Sequence, residues 1–236
     1  MAPREGHLRA AERVLGYLAH RPQGTIIVDT GEPPIRDIAS INRGHSWIEF
    51  YPDAEENIPD DIPEPMTHKP AMTLTCYVDA DHARDPVTRR SVTGILLLLN
   101  NTPVAWMSKR QRTVETSTYG SELVAARIAV DLLIEMRYKL RVLGIKVEDK
   151  SILVGDNMSV VTNTTIPSSM LKKKTHACNY HRVREAVSCF IDFGHIESKQ
   201  NVADIFTKPL ERALFQPLVD AYLFRTPPKA KPKLSS

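Results

Sequence analysis

The sequence predicts an α/β fold: a mixed five-stranded sheet with helices on both faces, preceded by an N-terminal helix and a linker. Three observations carry this. Residues 72–80, 92–99 and 103–108 are strand-like and close together, the last two joined by Asn100 and Asn101 in a hairpin turn. Residues 119–142 keep a helical period and stop at Gly144, and the all-apolar run 151–155 that follows suits a central strand. Helices from about 157 and over 177–191 then lead to a last strand at 194–197. Hairpin strands followed by strands reached through helical crossovers make a mixed sheet.

The 236 residues suffice for one sizeable core and an appendage. A net charge of +3 decides little, but its distribution is uneven: acid collects over 53–64, and cations collect at 172–174 and in the tail. Three cysteines (Cys76, Cys178, Cys189) in no C-x-x-C spacing argue against a disulfide framework and for a reducing, intracellular setting. No apolar run is long enough to span a bilayer, and residues 1–5 show no signal-peptide core.

Taken in order, residues 6–20 read as a helix, with Leu8, Ala11, Leu15 and Leu18 on one face and Arg21-Pro22 ending it. Because the sequence opens almost directly on this helix, a fragment of a longer translation product is expected. Residues 25–29 look like a short strand, and Trp47 to Phe50 like an edge strand. The acidic, proline-rich run 52–70 reads as a linker, dividing residues 1–51 from a main domain over 71–225. A last helix falls near 211–222, and residues 226–236, rich in Pro and Lys, are expected to be disordered.

Four acidic residues recur at element ends. In the first strand Leu74, Cys76 and Val78 share one face and Thr75, Tyr77 and Asp79 the other, so the strand delivers the Asp79 carboxylate to its own end. Asp156 follows the run 152–155, at the carboxyl end of a central strand where ligand crevices open. Glu122 heads the buried-looking stripe of the long helix, and Asp204 begins the final segment. Carboxylates from separate elements can cage hard cations such as Mg²⁺. Each also has a plain reading as a helix cap, a favourable charge at a helix start or a turn, and spacing alone does not choose.

The residues around these acids carry more information. YVDAD (77–81) with RRSVTG (89–94), WMSKRQ (106–111), STYGSE (117–122), GDN (155–157), YHRVRE (180–185) and ADIFTKPL (203–210) resemble, in order, the ribonuclease H domain of Ty1/copia-type retrotransposon polyproteins. HLRAAERVLGYL (7–18) is similar to the connection segment that follows the polymerase there; the polymerase's own Tyr-x-Asp-Asp block is absent. The resemblance implies a ribonuclease H-like fold, Mg²⁺-dependent cleavage of the RNA strand of RNA/DNA hybrids, and a polymerase domain as a neighbour. It implies that Asp79, Glu122, Asp156 and Asp204 bind two Mg²⁺ ions, with Mn²⁺ as the alternative. Asp81 is left as a turn residue or outer partner. No membrane or small-molecule cofactor is expected. The contrasting reading is a decayed remnant that binds nucleic acid, or supports a polymerase, without catalysis.

Lys172, Lys173 and Lys174, with Arg182 and Arg184, are candidates for tracking a phosphate backbone, and Ser117, Thr118 and Asn157 for touching ribose or phosphate. A solvated basic loop is the plain alternative for any single lysine. The segment 172–176 departs from the family's Lys-His pattern, so His176 is assigned no role, and His195 reads as structural. His176, Cys178, His181 and Cys189 fit no common zinc spacing.

Overall fold

The computed structural model describes residues 5–20, 26, 28–33, 35, 45–66 and 68–222. The elements that build the site are β1 (Leu74–Ala80), β2 (Val92–Leu99), β3 (Thr102–Arg110), α2 (Thr118–Val142), β4 (Ser151–Gly155), α3 (Met158–Thr165), α4 (Ala177–Cys189) and β5 (Ile191–His195); α1 (Glu5–His20) precedes them and α5 (Arg212–Tyr222) follows. The five strands form one sheet in the order β3-β2-β1-β4-β5. β1 runs antiparallel to β2 and parallel to β4, and β4 runs parallel to β5. This is the mixed five-stranded arrangement the sequence predicts.

The alternation read along β1 sorts the core into two layers. Leu74, Cys76 and Val78 pack with Leu123, Ala126, Ala129 and Leu133 of α2 and Val183 of α4. Tyr77 faces the other way and joins Leu96, Ile152 and Val154 under Val202, Ala203 and Leu218. Each large side chain so buried stabilises the fold by roughly 1.5–3 kcal/mol. The small residues Ala125, Ala126 and Ala129 let α2 lie close on the sheet, which brings its first turn over the end of β1.

The hairpin turn is as expected: Asn100 sits at φ +53 and its Oδ1 accepts the Thr73 N–H at 3.0 Å. Three expectations need correction. The helix read over 177–191 ends at Cys189, and the last strand is Ile191–His195 rather than 194–197. Val187 and Ile191 stand four apart and mimic a helical stripe, but pairing Ile191 with Ser151 buries Ile191 and Phe193 in the sheet instead. Trp47 to Phe50 is not an edge strand, because Phe50 and Tyr51 N–H both donate to the Trp47 carbonyl and close a turn. The strand expected over 25–29 lies partly outside the described residues; Ile26, Val28 and Asp29 are in no strand, and Asp29 bonds the β2–β3 turn through Thr102 and Asn101. The tail 226–236 also lies outside the described residues.

The acidic run carries a tie that its composition hides. Glu56 makes paired bonds to Arg137 (2.6 and 2.7 Å) and also grips Arg141. Arg137 is 1% exposed and spends its remaining donors on the Glu148 and Asp149 carbonyls and Ser151 Oγ.

Candidate active site

Three elements bring carboxylates together. β1 carries Asp79, 2% exposed, one residue before its end; α2 supplies Glu122 one turn inside its Ser117 cap; Asp156 follows β4 directly. β1 and β4 are parallel neighbours, with Val78 opposite Gly155, so Asp79 and Asp156 leave adjacent strands at the same end. One oxygen from each of Asp79, Glu122 and Asp156 lies within 4.8 Å of the others. Asp204, also buried, comes from a 3₁₀ turn (Val202–Phe206) on the opposite face of the sheet from α2.

That turn reaches the site because of two residues. Asn201, fully buried, donates its amide to the Val78 carbonyl at 2.9 Å and accepts the Ala203 N–H, which pins the turn to the end of β1. Gly94 pairs with Asp79 across β1–β2, and a Cβ there would lie 2.6 Å from Thr207 Cγ2 and 2.7 Å from the Ala203 carbonyl oxygen. Only glycine lets the turn approach this closely.

The carboxylates are individually aimed. Thr207 Oγ1 donates to Asp79 Oδ2, the Ala80 N–H donates to Glu122, and Ser198 Oγ donates to Asp156 Oδ2 at 2.6 Å. Lys208 Nζ lies 2.8 Å from Asp204 Oδ1 and 3.9 Å from Asp79 Oδ2. Burial, opposed by the Thr207 hydroxyl and reinforced by the Asp204 charge, pushes Asp79 up to about 7. Burial, then the charges of Asp79 and Asp156, push Glu122 up to about 9. For Lys208, burial favours the neutral amine, but Asp204 and Asp79 more than offset it and its pKa is raised. Buried carboxylates held this close are costly without a countercharge, and one ammonium does not neutralise four of them. The donor set, all oxygen and from separate elements, fits a hard divalent cation.

Thr207, Lys208 and Ser198 are site residues that sequence reasoning missed. Two of them stand within the ADIFTKPL block, which was the available signal. Asp81 is a turn residue: its Oδ1 accepts the Val92 N–H where β1 meets β2. His195 bonds the Asp156 carbonyl through Nε2 at 3.1 Å, and His176 is buried against Glu115 at 3.1 Å. Among the described residues no cluster joins His176, Cys178, His181 and Cys189.

The candidate substrate contacts divide. Ser117 and Asn157 cap α2 and α3, each accepting a backbone N–H, and Thr118 is exposed on the first turn of α2. Lys172, Lys173 and Lys174 are exposed, and Lys173 Nζ reaches Thr116 Oγ1 at 3.2 Å beside that turn. Arg182 is paired with Asp131 and Glu185. Asp131 lies nine residues along α2 from Glu122, about 13 Å. Arg184 requires a correction. It is 2% exposed, bonds the Asn163, Ile166 and Pro167 carbonyls, and packs against the Trp47 and Tyr180 rings, each 4.9 Å away. Its role is to hold the α3–α4 connection and the 47–51 turn, not a phosphate.

No protein-family model matches the chain. In sequence it is similar to the Retrovirus-related Pol polyprotein from transposon RE1 of Arabidopsis thaliana, 27% identical over 218 residues, covering 91% of this chain and 12% of that protein. It is also similar to the Pol polyprotein from transposon TNT 1-94 of Nicotiana tabacum, 29% identical over 144 residues, covering 61% and 11%. The Ty1-JR2 Gag-Pol polyprotein of Saccharomyces cerevisiae is 26% identical over 156 residues, covering 66% and 9%. The chain thus spans about a tenth of the length of these relatives. Among solved structures, the N-terminal RNase H domain of a Mycobacterium tuberculosis protein superposes with a TM-score of 0.46 at 12% identity, covering 64% of this chain and 99% of that one. LC11-RNase H1, solved in complex with an RNA/DNA hybrid, gives 0.44 at 16% identity, covering 55% and 88%.

Proposed function

We propose that this chain, a retrotransposon Pol-related ribonuclease H domain, hydrolyses the RNA strand of RNA/DNA hybrids with the help of bound Mg²⁺. The observation that carries the reading is the meeting of Asp79, Glu122 and Asp156 from three separate elements within 4.8 Å, with Asp204 beside them. In this reading the chain would work inside the cell as one domain of a larger polyprotein, with a polymerase domain as its neighbour; its likeness to Pol polyproteins supports that setting.

In this reading Asp79, Glu122, Asp156 and Asp204 would hold two Mg²⁺ ions, with Mn²⁺ as the alternative. When bound, such ions activate water and offset charge on the departing oxygen of a phosphodiester. The protein's own contribution is orientation and proton storage. Thr207 and the Ala80 amide fix the Asp79 and Glu122 carboxylates, Ser198 fixes Asp156, and Lys208 steadies Asp204. Burial keeps a proton on Glu122 near neutrality, and a cation held there would displace it. Lys172, Lys173 and Lys174, with Thr118 and the capping residues Ser117 and Asn157, would meet the hybrid near the first turn of α2.

The test is incubation of the full chain with an end-labelled RNA/DNA hybrid and Mg²⁺. Internal cleavage of the RNA strand is expected, leaving 5′-phosphate and 3′-hydroxyl ends, with a loss of at least 100-fold in Asp79→Asn and in Asp156→Asn. An intact hybrid after incubation with folded, Mg²⁺-replete protein overturns the reading.

A further inference from the structure

A second groove lies at the same end of the sheet, between the end of β3 and the first turns of α2. Its volume is about 340 Å³. Lys109, Arg110, Arg112 and Arg127 line it, and no carboxylate does. The groove on the other side of α2, under residues 55–58, is the reverse: Glu55, Glu56, Glu135 and Glu185 outnumber its two arginines. The acidic groove draws on the run over 53–64, whereas only the fold joins residues 109–112 to Arg127.

The position of the basic groove follows from the strand register. Asp79 pairs with Gly94, and Gly94 pairs with Ser108. Two strand spacings put Ser108 about 10 Å from Asp79, with Lys109 and Arg110 next along β3. The other wall belongs to the helix that carries Glu122: Arg127 is five residues further on, about 7.5 Å along the axis. The ion pair of Arg127 with Asp131 is solvent-exposed on both sides, and such pairs exchange partners at little cost; Arg110 is itself exposed, though its partner Asp85 is partly buried. Lys109 and Arg112 are exposed, and no described carboxylate pairs with them.

A second observation comes from the floor. Gln111, 3% exposed, donates its amide to Thr93 Oγ1 at 3.0 Å and to the Ser121 carbonyl at 2.9 Å. Both donations fix the amide's orientation, and Oε1 is left buried with no donor. A buried acceptor without a partner is uncommon and costs about 1–3 kcal/mol unless something supplies a hydrogen. Cations along the rim match a sugar–phosphate backbone, whose phosphates take them, and the unpartnered Gln111 acceptor lies in the floor beneath.

We infer that this groove binds the backbone of one strand of the nucleic acid as it leaves the carboxylate site along β3 and α2. The inference rests on the hybrid-hydrolase reading for the identity of the duplex. It concerns residues outside the carboxylate site and away from Lys172–Lys174. Four cations would contact up to four phosphates, so binding through the groove is electrostatic and salt-dependent.

The test measures binding of a fluorescent RNA/DNA hybrid by anisotropy across a salt series, on an Asp79→Asn background that leaves the hybrid intact. Lys109→Glu with Arg112→Glu should lower affinity at least tenfold and reduce the slope of log K against log salt by about 2. The neutral pair Lys109→Gln with Arg112→Gln should show a smaller loss in the same direction. Lys139→Glu with Lys146→Glu, at the far end of α2, makes the same charge change and should stay within twofold. Unchanged affinity and slope in the groove variants, or an equal loss in the far-end pair, overturns the inference. Wild-type chain that binds through the groove but never cleaves overturns the catalytic reading alone; chain that cleaves with no dependence on Lys109 and Arg112 overturns the groove alone.

Discussion

Lys208 holds its ammonium 2.8 Å from Asp204, four residues earlier in the same segment, and 3.9 Å from Asp79 on the central strand. Among the described residues it is the one cation paired with a site made of four acids. Lys208→Met should therefore destabilise the protein in EDTA by about 1–2 kcal/mol, less than the cost of breaking a fully buried pair because the lysine is partly solvated. Saturating Mg²⁺ should recover most of the loss. Thermal denaturation with and without the ion measures both, and equal losses in the two conditions would contradict the assigned role.

The pH dependence has a definite sign. Unfolded Asp and Glu titrate near pH 4, whereas folded Asp79 and Glu122 are pushed up to about 7 and about 9 by burial and neighbouring charge. Between pH 4 and 9 the folded chain binds more protons than the unfolded one, so in EDTA these two groups contribute a stability that is full below pH 4 and lost as pH rises through 7 and 9. With Mg²⁺ the decline should flatten. Chemical denaturation in EDTA at pH 5 and pH 9 checks this, after subtracting the same difference measured in an Asp79→Asn, Glu122→Gln double variant.

Glu122→Gln separates stability from activity. Above pH 9, where Glu122 loses its proton, the substitution removes a buried charge that repels Asp79 and Asp156 and should raise the melting temperature in EDTA, while hybrid cleavage at neutral pH falls at least 100-fold and calorimetric Mg²⁺ binding weakens. A variant that lost stability in EDTA would show that Glu122 is held by a countercharge other than a bound cation.

Gly94→Ala tests the approach of the segment carrying Asp204. The new methyl meets a carbonyl oxygen and a methyl group at 2.6–2.7 Å, so the 3₁₀ turn must shift. A stability loss of about 1–3 kcal/mol is expected, as for other overpacked sites. Cleavage should fall far more than stability explains, because Asp204 and Thr207 move together.

Glu56→Ala should cost about 2–3 kcal/mol, by leaving the buried Arg137 guanidinium without its carboxylate. Limited proteolysis should then cut within residues 45–66 sooner than in the wild type. The acidic, proline-rich composition that suggests a free linker does not reveal this tie, because Glu56 and Arg137 are 81 residues apart.

By itself the sequence determined the local order of the protein. The period-two alternation of β1, the apolar run of β4 and the stripe of α2 each follow from which side chains must leave water, and they carry Asp79, Asp156 and Glu122 to their element ends. It also carried the family likeness, through blocks that surround those acids. What the tertiary structure decided are relations between segments far apart in the chain. Whether Val187 and Ile191 continue a helix or split into helix and strand depended on the partner offered by Ser151. Whether Arg184 faced a phosphate or a cage of carbonyls depended on how α3, α4 and the 47–51 turn packed. The partners of the acids, Thr207, Lys208 and Ser198, became visible only when Asn201 and Gly94 brought their segment against β1. A carboxylate's role is set by the charges and donors around it in space, and those are supplied by folding.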